Sequence, residues 1–341
     1  LNRENGILLI LVLLIVPVIG IAIAFGSVSI PIGFTFKTLL DATIGSGVDM
    51  DDRMVQIVLQ LRLPQAIAAF LVGAGLAIVG VAMQALVRNP LAEPYVLGIS
   101  GGASAGASLF YLGLIPTFIA ASIDITLAAF LGALLSITLV YLVARTGKTL
   151  SVSRLLLAGV AMASLMAAVS SFVLFASPDL NKMRAVLFWL MGSFNSISWS
   201  DIPIAASVTI AAGMILFSLS RSLDALLTGE EPARSLGVRV ETIKRVLIVL
   251  SALVTGVLVS ISGAIGFIGL IIPHSIRSLM GVNHRYVLPG SFLAGGLFLV
   301  LADTLSQTLL AGQQLPVGIV TAISGVPFFL YLLRKTDYQF K

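Results

Sequence analysis

Few side chains in these 341 residues have the type and spacing for chemistry. The two histidines, His274 and His284, have no metal-ligand spacing to another donor, and the chain has no Cys for a disulfide or thiolate metal site. His274 follows Pro273 and reads as a hydrogen-bonded histidine at the inner end of a helix. Asp303 lies at the outer end of an apolar run, where a proton or ion carrier could use a carboxylate. Coupled carriers, however, place ionisable groups near mid-span, and these spans are nearly free of them. Gly147-Lys148-Thr149 resembles the close of a phosphate loop, but the upstream Gly at the required spacing is missing. The run Gly101-Gly102-Ala103-Ser104-Ala105-Gly106 lacks both the Lys-Ser/Thr ending and a preceding strand. No nucleophile, acid–base pair or metal set is left, so no catalytic residue and no metal site are expected.

The charge is concentrated elsewhere. Between Arg221 and Arg245 stand Asp224, Glu230, Glu231, Arg234, Arg239, Glu241 and Lys244. Inside this segment lies LLTGEEPARSLG, Leu226, Leu227 and Thr228 leading to Gly229. Glu230, Glu231 and Pro232 suit the first turn of a short helix, with Ala233, Arg234, Ser235 and Leu236 continuing it. Gly237 is a plausible stop. Such a helix between two apolar spans is either a solvated loop or a docking knob for a partner on that side of the membrane.

The elements that position these groups are set by hydrophobicity. Hydrophobic residues make up 58% of the chain and charged residues 10%, against roughly 25% charge in soluble domains. Apolar runs near 20 residues recur, so an all-α polytopic protein in a lipid bilayer is expected. The spans are read at 7–26, 65–87, 95–115, 123–143, 155–176, 202–219, 246–264, 267–280, 288–301 and 317–333, about ten in all. The first is long for a signal segment and lacks a small-residue cleavage site, so it is read as retained. Residues 27–63 read as a mixed loop holding a short amphipathic helix, and 177–201 as an outer loop with a second one. The Gly- and Ala-rich second span permits close helix packing. On the fifth span Met162 and Met166 lie one turn apart, beside Ser164 and Ser170; this pattern is more often packing than the lining of a pathway. With the N-terminus inside, only Lys37, Arg53, Arg62, Lys182 and Arg184 of the 20 Lys and Arg fall outside, so both termini are expected in the cytoplasm. The net charge of +5 sets orientation and does not point to nucleic acid. Nothing polar is long enough for a soluble domain, so the whole of 1–341 reads as one membrane domain.

Several blocks of residues then carry a resemblance. LRLPQAIAAFLVGAGLAIVGVAMQALVRNPLAEPYVLGISGGA (61–103) is followed in order by SRLLLAGVA (153–161), FWLMGSF (188–194), GEEPARSLGV (229–238), GAIGFIGLIIPHSIR (263–277), HRYVLPGS (284–291), LADT (301–304) and LPVGIVTAISGVPFFLYLL (315–333). Together they resemble the FecCD-type permeases of ABC importers across nearly the whole chain. The resemblance implies a homodimer of ten-helix subunits in a bacterial or archaeal inner (plasma) membrane. Two cytoplasmic ATPase subunits, which hold the ATP and Mg, would bind one side; this chain would carry no cofactor. A periplasmic or lipid-anchored binding protein would dock on the other. The cargo would be an iron chelate such as a ferric-siderophore, haem or cobalamin, moving along the subunit interface past the fifth span. Residues 226–237 match the family's coupling helix, and Val152 and Ser153 its cytoplasmic gate. Of the family's outer docking arginines, Arg62 is retained, while the other two positions read Gln65 and Gln307. The rival readings are an ion-coupled secondary carrier, which would need intramembrane ionisable groups, and an intramembrane enzyme, which would need a nucleophile or metal set.

Overall fold

The computed structural model describes residues 2–26, 28–44, 51–116, 121–147, 149–310 and 314–334; Asp49, Lys148 and the basic tail beyond Arg334 lie outside them. α1 (Arg3–Ala24) is apolar on every side and carries Pro17 inside it. α2 (Ile32–Ile44) is the amphipathic helix expected in the first loop. The rest of that loop departs from the expectation. α3 (Arg53–Gln56) opens with the Asp52 carboxylate accepting the Met54 N–H at 2.8 Å. It runs on through a π-helical stretch, Ile57–Arg62, into α4 (Leu63–Val87). The widened turn, in which the Leu63 N–H reaches the Val58 carbonyl, immediately precedes Pro64. A proline ring lacks the donor and crowds the preceding turn of an ordinary α-helix. The expected loop ends at 63 and the expected span begins at 65, whereas the helix runs through Pro64 from Arg53 to Val87.

α4 is the centre of the bundle: 89% of its most apolar window is buried, and it packs on the helices that close the chain. A second departure follows it. The expected third span, 95–115, is broken at Gly98, which sits at φ +76°. A 3₁₀ turn (Pro94–Leu97) and α5 (Ile99–Tyr111) replace it. Thirteen helical residues rise about 20 Å, short of the ~30 Å hydrocarbon core. α5 lies between α6 (Ile125–Ala144) and α7 (Val152–Ala176). Its glycine run is a packing surface: a Cβ on Gly102 would stand 2.4 Å from the Gly132 carbonyl of α6, and one on Gly132 2.2 Å from that of Gly102. A two-strand hairpin, β1 (Arg145–Thr146) with β2 (Thr149–Leu150), joins α6 to α7 in antiparallel register.

α8 (Leu180–Leu190), α9 (Ile202–Ser218), α10 (Ser220–Leu227) and α11 (Glu230–Ser235) follow. α9 and α10 meet at a 62° bend. α12 (Val240–Ser262), α13 (Ile268–Met280), α14 (His284–Thr308) and α15 (Val317–Arg334) complete the chain. α14, α12, α9 and α13 surround α4. Each expected apolar segment is helical in at least part of its length. Among the described residues, however, 6 helices are long and apolar enough to cross a membrane, or 7 if the bent pair is one span.

The broken elements are stitched together by polar groups, as irregular backbone inside a membrane bundle requires. The Glu93 carboxylate accepts the N–H of Phe267 at 2.6 Å. The Tyr95 hydroxyl donates to the Ile265 carbonyl at 2.7 Å and accepts the Ile265 N–H at 2.9 Å. Burial pushes the Glu93 carboxyl above its ordinary range, and the Phe267 N–H only partly offsets this. The Gln84 amide donates to the Gly269 carbonyl at 3.0 Å, and Arg277 donates to its oxygen.

Candidate functional site

α11 stands between two glycines at positive φ, Gly229 (+122°) and Gly237 (+84°), angles a side chain would strain. Glu230 and Glu231 occupy its first turn and Arg234 its last, matching the helix dipole. The Gly237 N–H bonds the Arg234 carbonyl at 2.9 Å and the Val238 N–H that of Ala233 at 3.0 Å, closing the C-terminus. Ala233 and Leu226 are buried against the bundle, while Leu236 is 71% exposed at the tip. The segment is thus a fixed helix with an apolar residue held out from it.

A cluster of ions fixes α11 to its neighbours. Lys244 Nζ lies 2.6 Å from Glu230 Oε1 and 3.3 Å from Glu241 Oε1. Arg234 Nη2 is 3.6 Å from both Glu230 Oε2 and Glu241 Oε1. The cluster continues into the hairpin: Lys244 Nζ donates to the Leu150 carbonyl at 3.3 Å, and Glu241 Oε2 accepts the Leu150 N–H at 3.1 Å. The next residue, Ser151, caps α7 by accepting the Arg154 N–H at 3.4 Å. Val152 and Ser153 form the first turn of α7. They share a polar cleft of about 490 Å³ with Arg88, Arg154, Glu230, Arg234, Glu241 and Lys244. Two stretches far apart in sequence, 152–153 and 226–237, therefore meet at one end of the bundle.

Other expected residues are not brought together in this way. Arg62 is buried, and its guanidinium donates to the carbonyls of Ile23 (2.7 Å), Ala24 (3.0 Å) and Val28. It closes the C-terminus of α1 and does not project as a docking cation. The Gln307 amide donates to Asp303 Oδ2 at 2.8 Å. Arg62 and Gln307 converge on Gly26, where a Cβ would stand 2.9 Å from Arg62 Nη2 and 3.0 Å from Gln307 Oε1. Gln65 stands apart, with its amide 3.5 Å from the Asn195 carbonyl. On α7, Met162 packs against the core and Met166 lies beside Gly101 of α5. Ser170 is buried and Ser164 exposed. The exposed side of α7 carries Ser164 together with Leu157, Val160, Leu165, Phe172 and Phe175.

Two groups escaped the sequence reading. Glu241 and Lys244 were visible only as charges, because their partner is the backbone of a distant hairpin. His284 was weighed only as a metal ligand. It is fully buried, and Asp224 Oδ1 lies 2.6 Å from its Nδ1 and accepts its backbone N–H at 3.0 Å, tying α10 to the start of α14.

A helical membrane bundle with a capped helix held out at one end, next to the start of an exposed apolar helix, has the form of a membrane permease that works with a partner. Residues 9–335 match the FecCD transport family. The cobalamin import system permease of Halobacterium salinarum is 41% identical over 283 residues, covering 83% of this chain and 74% of that one. The hemin transport system permease of Yersinia pestis is 37% identical over 322 residues, covering 94% of each. A solved metal-chelate type ABC transporter in an inward-facing conformation superimposes with a TM-score of 0.83 at 32% identity, over 97% of this chain and 99% of that one. The chain belongs to the FecCD transport family, and it is an import permease of the ABC class. That membership replaces both the secondary-carrier and the intramembrane-enzyme readings.

Proposed function

We propose that this chain is the membrane domain of an ATP-driven importer for a metal chelate: cobalamin, haem or a ferric-siderophore. The observation that carries the coupling part of the reading is the cleft in which the projecting α11 meets the first turn of α7. The relatives named for cobalamin and hemin support the cargo class. In this reading, residues 1–341 act as one domain in a bacterial or archaeal plasma membrane, with both termini cytoplasmic. About ten segments cross or enter the bilayer, the short α5 and α13 among them, buried against longer neighbours. α11 seats on ATPase subunits that hold ATP and Mg, and Leu236 is its apolar contact. Val152 and Ser153 gate the inner end of the pathway. The exposed apolar side of α7 faces a second copy of the chain across that pathway. A binding protein docks on the opposite end, where Gln65 offers an amide and Arg62 with Gln307 shapes the surface from beneath.

Reconstitution with a cognate ATPase and binding protein tests the reading. ATP-dependent uptake of cobalamin, hemin or a ferric hydroxamate into proteoliposomes is the expected result. Equal uptake without ATP, driven by an imposed proton or sodium gradient, would contradict it.

A further inference from the structure

Lys244 is the point at which three elements meet. An ammonium has three donors, and each finds an acceptor on a different element: Glu230 Oε1 of α11 at 2.6 Å, Glu241 Oε1 of its own α12 at 3.3 Å, and the Leu150 carbonyl of β2 at 3.3 Å. The Lys244 side chain is 5% exposed, with its ammonium at the wall of the polar cleft. Glu241 completes the grip by accepting the Leu150 N–H at 3.1 Å. Leu150 is therefore held through both backbone groups, as an adjoining strand would hold it, but by two side chains one helical turn apart on α12. Ser151 and the first turn of α7 follow without an intervening residue.

We infer that Lys244 and Glu241 are positioning residues that relay movement of α11 to the first turn of α7. The inference rests on the reading of α11 as the partner-facing helix and of Val152 and Ser153 as the gate. Physically, displacement of Glu230 has two outcomes. Either Lys244 and the hairpin follow it, or a buried ammonium loses its closest counter-charge. The second is strongly unfavourable in a site this enclosed. Arg234, whose side chain is 54% exposed, bridges Glu230 and Glu241 from the solvent side and adds a weaker, screened link. The same ion pairs offer little net stability; their effect is on which arrangement of hairpin and helix accompanies which position of α11. The hairpin's own ladder is two residue pairs long, Arg145 with Leu150 and Thr146 with Thr149, and the Leu150 side chain is buried in the core, so the clamp acts at the residue that seats the hairpin.

The test uses the complete transporter with its ATPase subunits in nanodiscs. The chain has no Cys, so Ser153→Cys, at an exposed position, provides a single thiol. Its maleimide labelling rate is compared with and without a non-hydrolysable ATP analogue. Lys244→Met should retain the ATPase subunits on co-purification but shrink the nucleotide-dependent change in labelling by about fivefold or more, the low end of coupling between linked sites. Lys244→Arg keeps donors for the same acceptors and should restore it. Should Lys244→Met fail to assemble, Glu241→Leu removes the Leu150 N–H contact and the exposed Arg234 link while leaving the Lys244–Glu230 pair in place, and should show the same loss. Full nucleotide response in Lys244→Met or Glu241→Leu overturns the relay, provided Leu236→Asp abolishes that response and so upholds the role of α11. A parent whose labelling ignores nucleotide overturns the relay and the gate assignment together.

Discussion

Glu93 illustrates how single residues hold broken helices inside this bundle. Its carboxylate supplies an acceptor to the Phe267 N–H, and Phe267 is, among the described residues, one of two non-glycine residues at positive φ, at +70°. Replacing Glu93 by Ala orphans that N–H in a buried position, an expected loss of about 1–3 kcal/mol. Glu93→Gln keeps an acceptor and removes the charge that burial disfavours. The sign of the pH effect follows from the raised carboxyl. The fold favours the protonated form, so this contribution to stability is full at acid pH and is lost as pH rises through the elevated folded value. Thermal melts of detergent-held protein should therefore show wild type losing stability toward alkaline pH relative to Glu93→Gln. Parallel profiles for the two would contradict this assignment. None of this was legible in the sequence: Glu93 stood in a punctuated turn, and its partner lies 174 residues away.

Among the elements, α1 shows how a conspicuous cation acquires a structural role. Arg62 sits at the end of the π-helical stretch and reaches the last carbonyls of α1, the end of a helix where positive charge is favourable. Arg62→Gln should lower thermal stability by about 2 kcal/mol, from the scale of charge-assisted hydrogen bonds. Binding-protein affinity should change little beyond that. An unchanged melting temperature with a large loss of binding-protein affinity would return Arg62 to the docking surface. Elements governed by apolar length were readable in advance. α1, α6, α7 and α9 start and end within a few residues of the expected bounds, because hydrophobic run length controls them. Elements governed by backbone accommodation were not. The passage of the helix through Pro64, the break at Gly98 and the 62° bend between α9 and α10 depend on what packs beside them. The short helix α11 was legible because its signals are local: acids and Pro at the start, positive-φ glycines at both ends.

At the scale of the whole molecule, the polar groups of the proposed coupling site lie at one end, around the cleft shared by α11, the hairpin and α7. The two halves of that site were each visible in sequence as separate blocks, but the clamp between them was not, since backbone acceptors leave no pattern of residue types. The central claim is that α11 transmits the work of an ATPase partner to this chain. Leu236, 71% exposed, can be changed without touching the ion cluster, whereas Gly237, at φ +84° with its N–H on the Arg234 carbonyl, closes the end of α11. Proline fixes φ near −65° and is incompatible with Gly237. The most direct measurement is ATP hydrolysis by the assembled transporter, with and without the loaded binding protein, for wild type, Leu236→Asp and Gly237→Pro in the same membranes. The account predicts that both variants remain in the membrane and lose stimulation by about tenfold, equivalent to about 1.4 kcal/mol. Stimulation equal to wild type in both variants would contradict it.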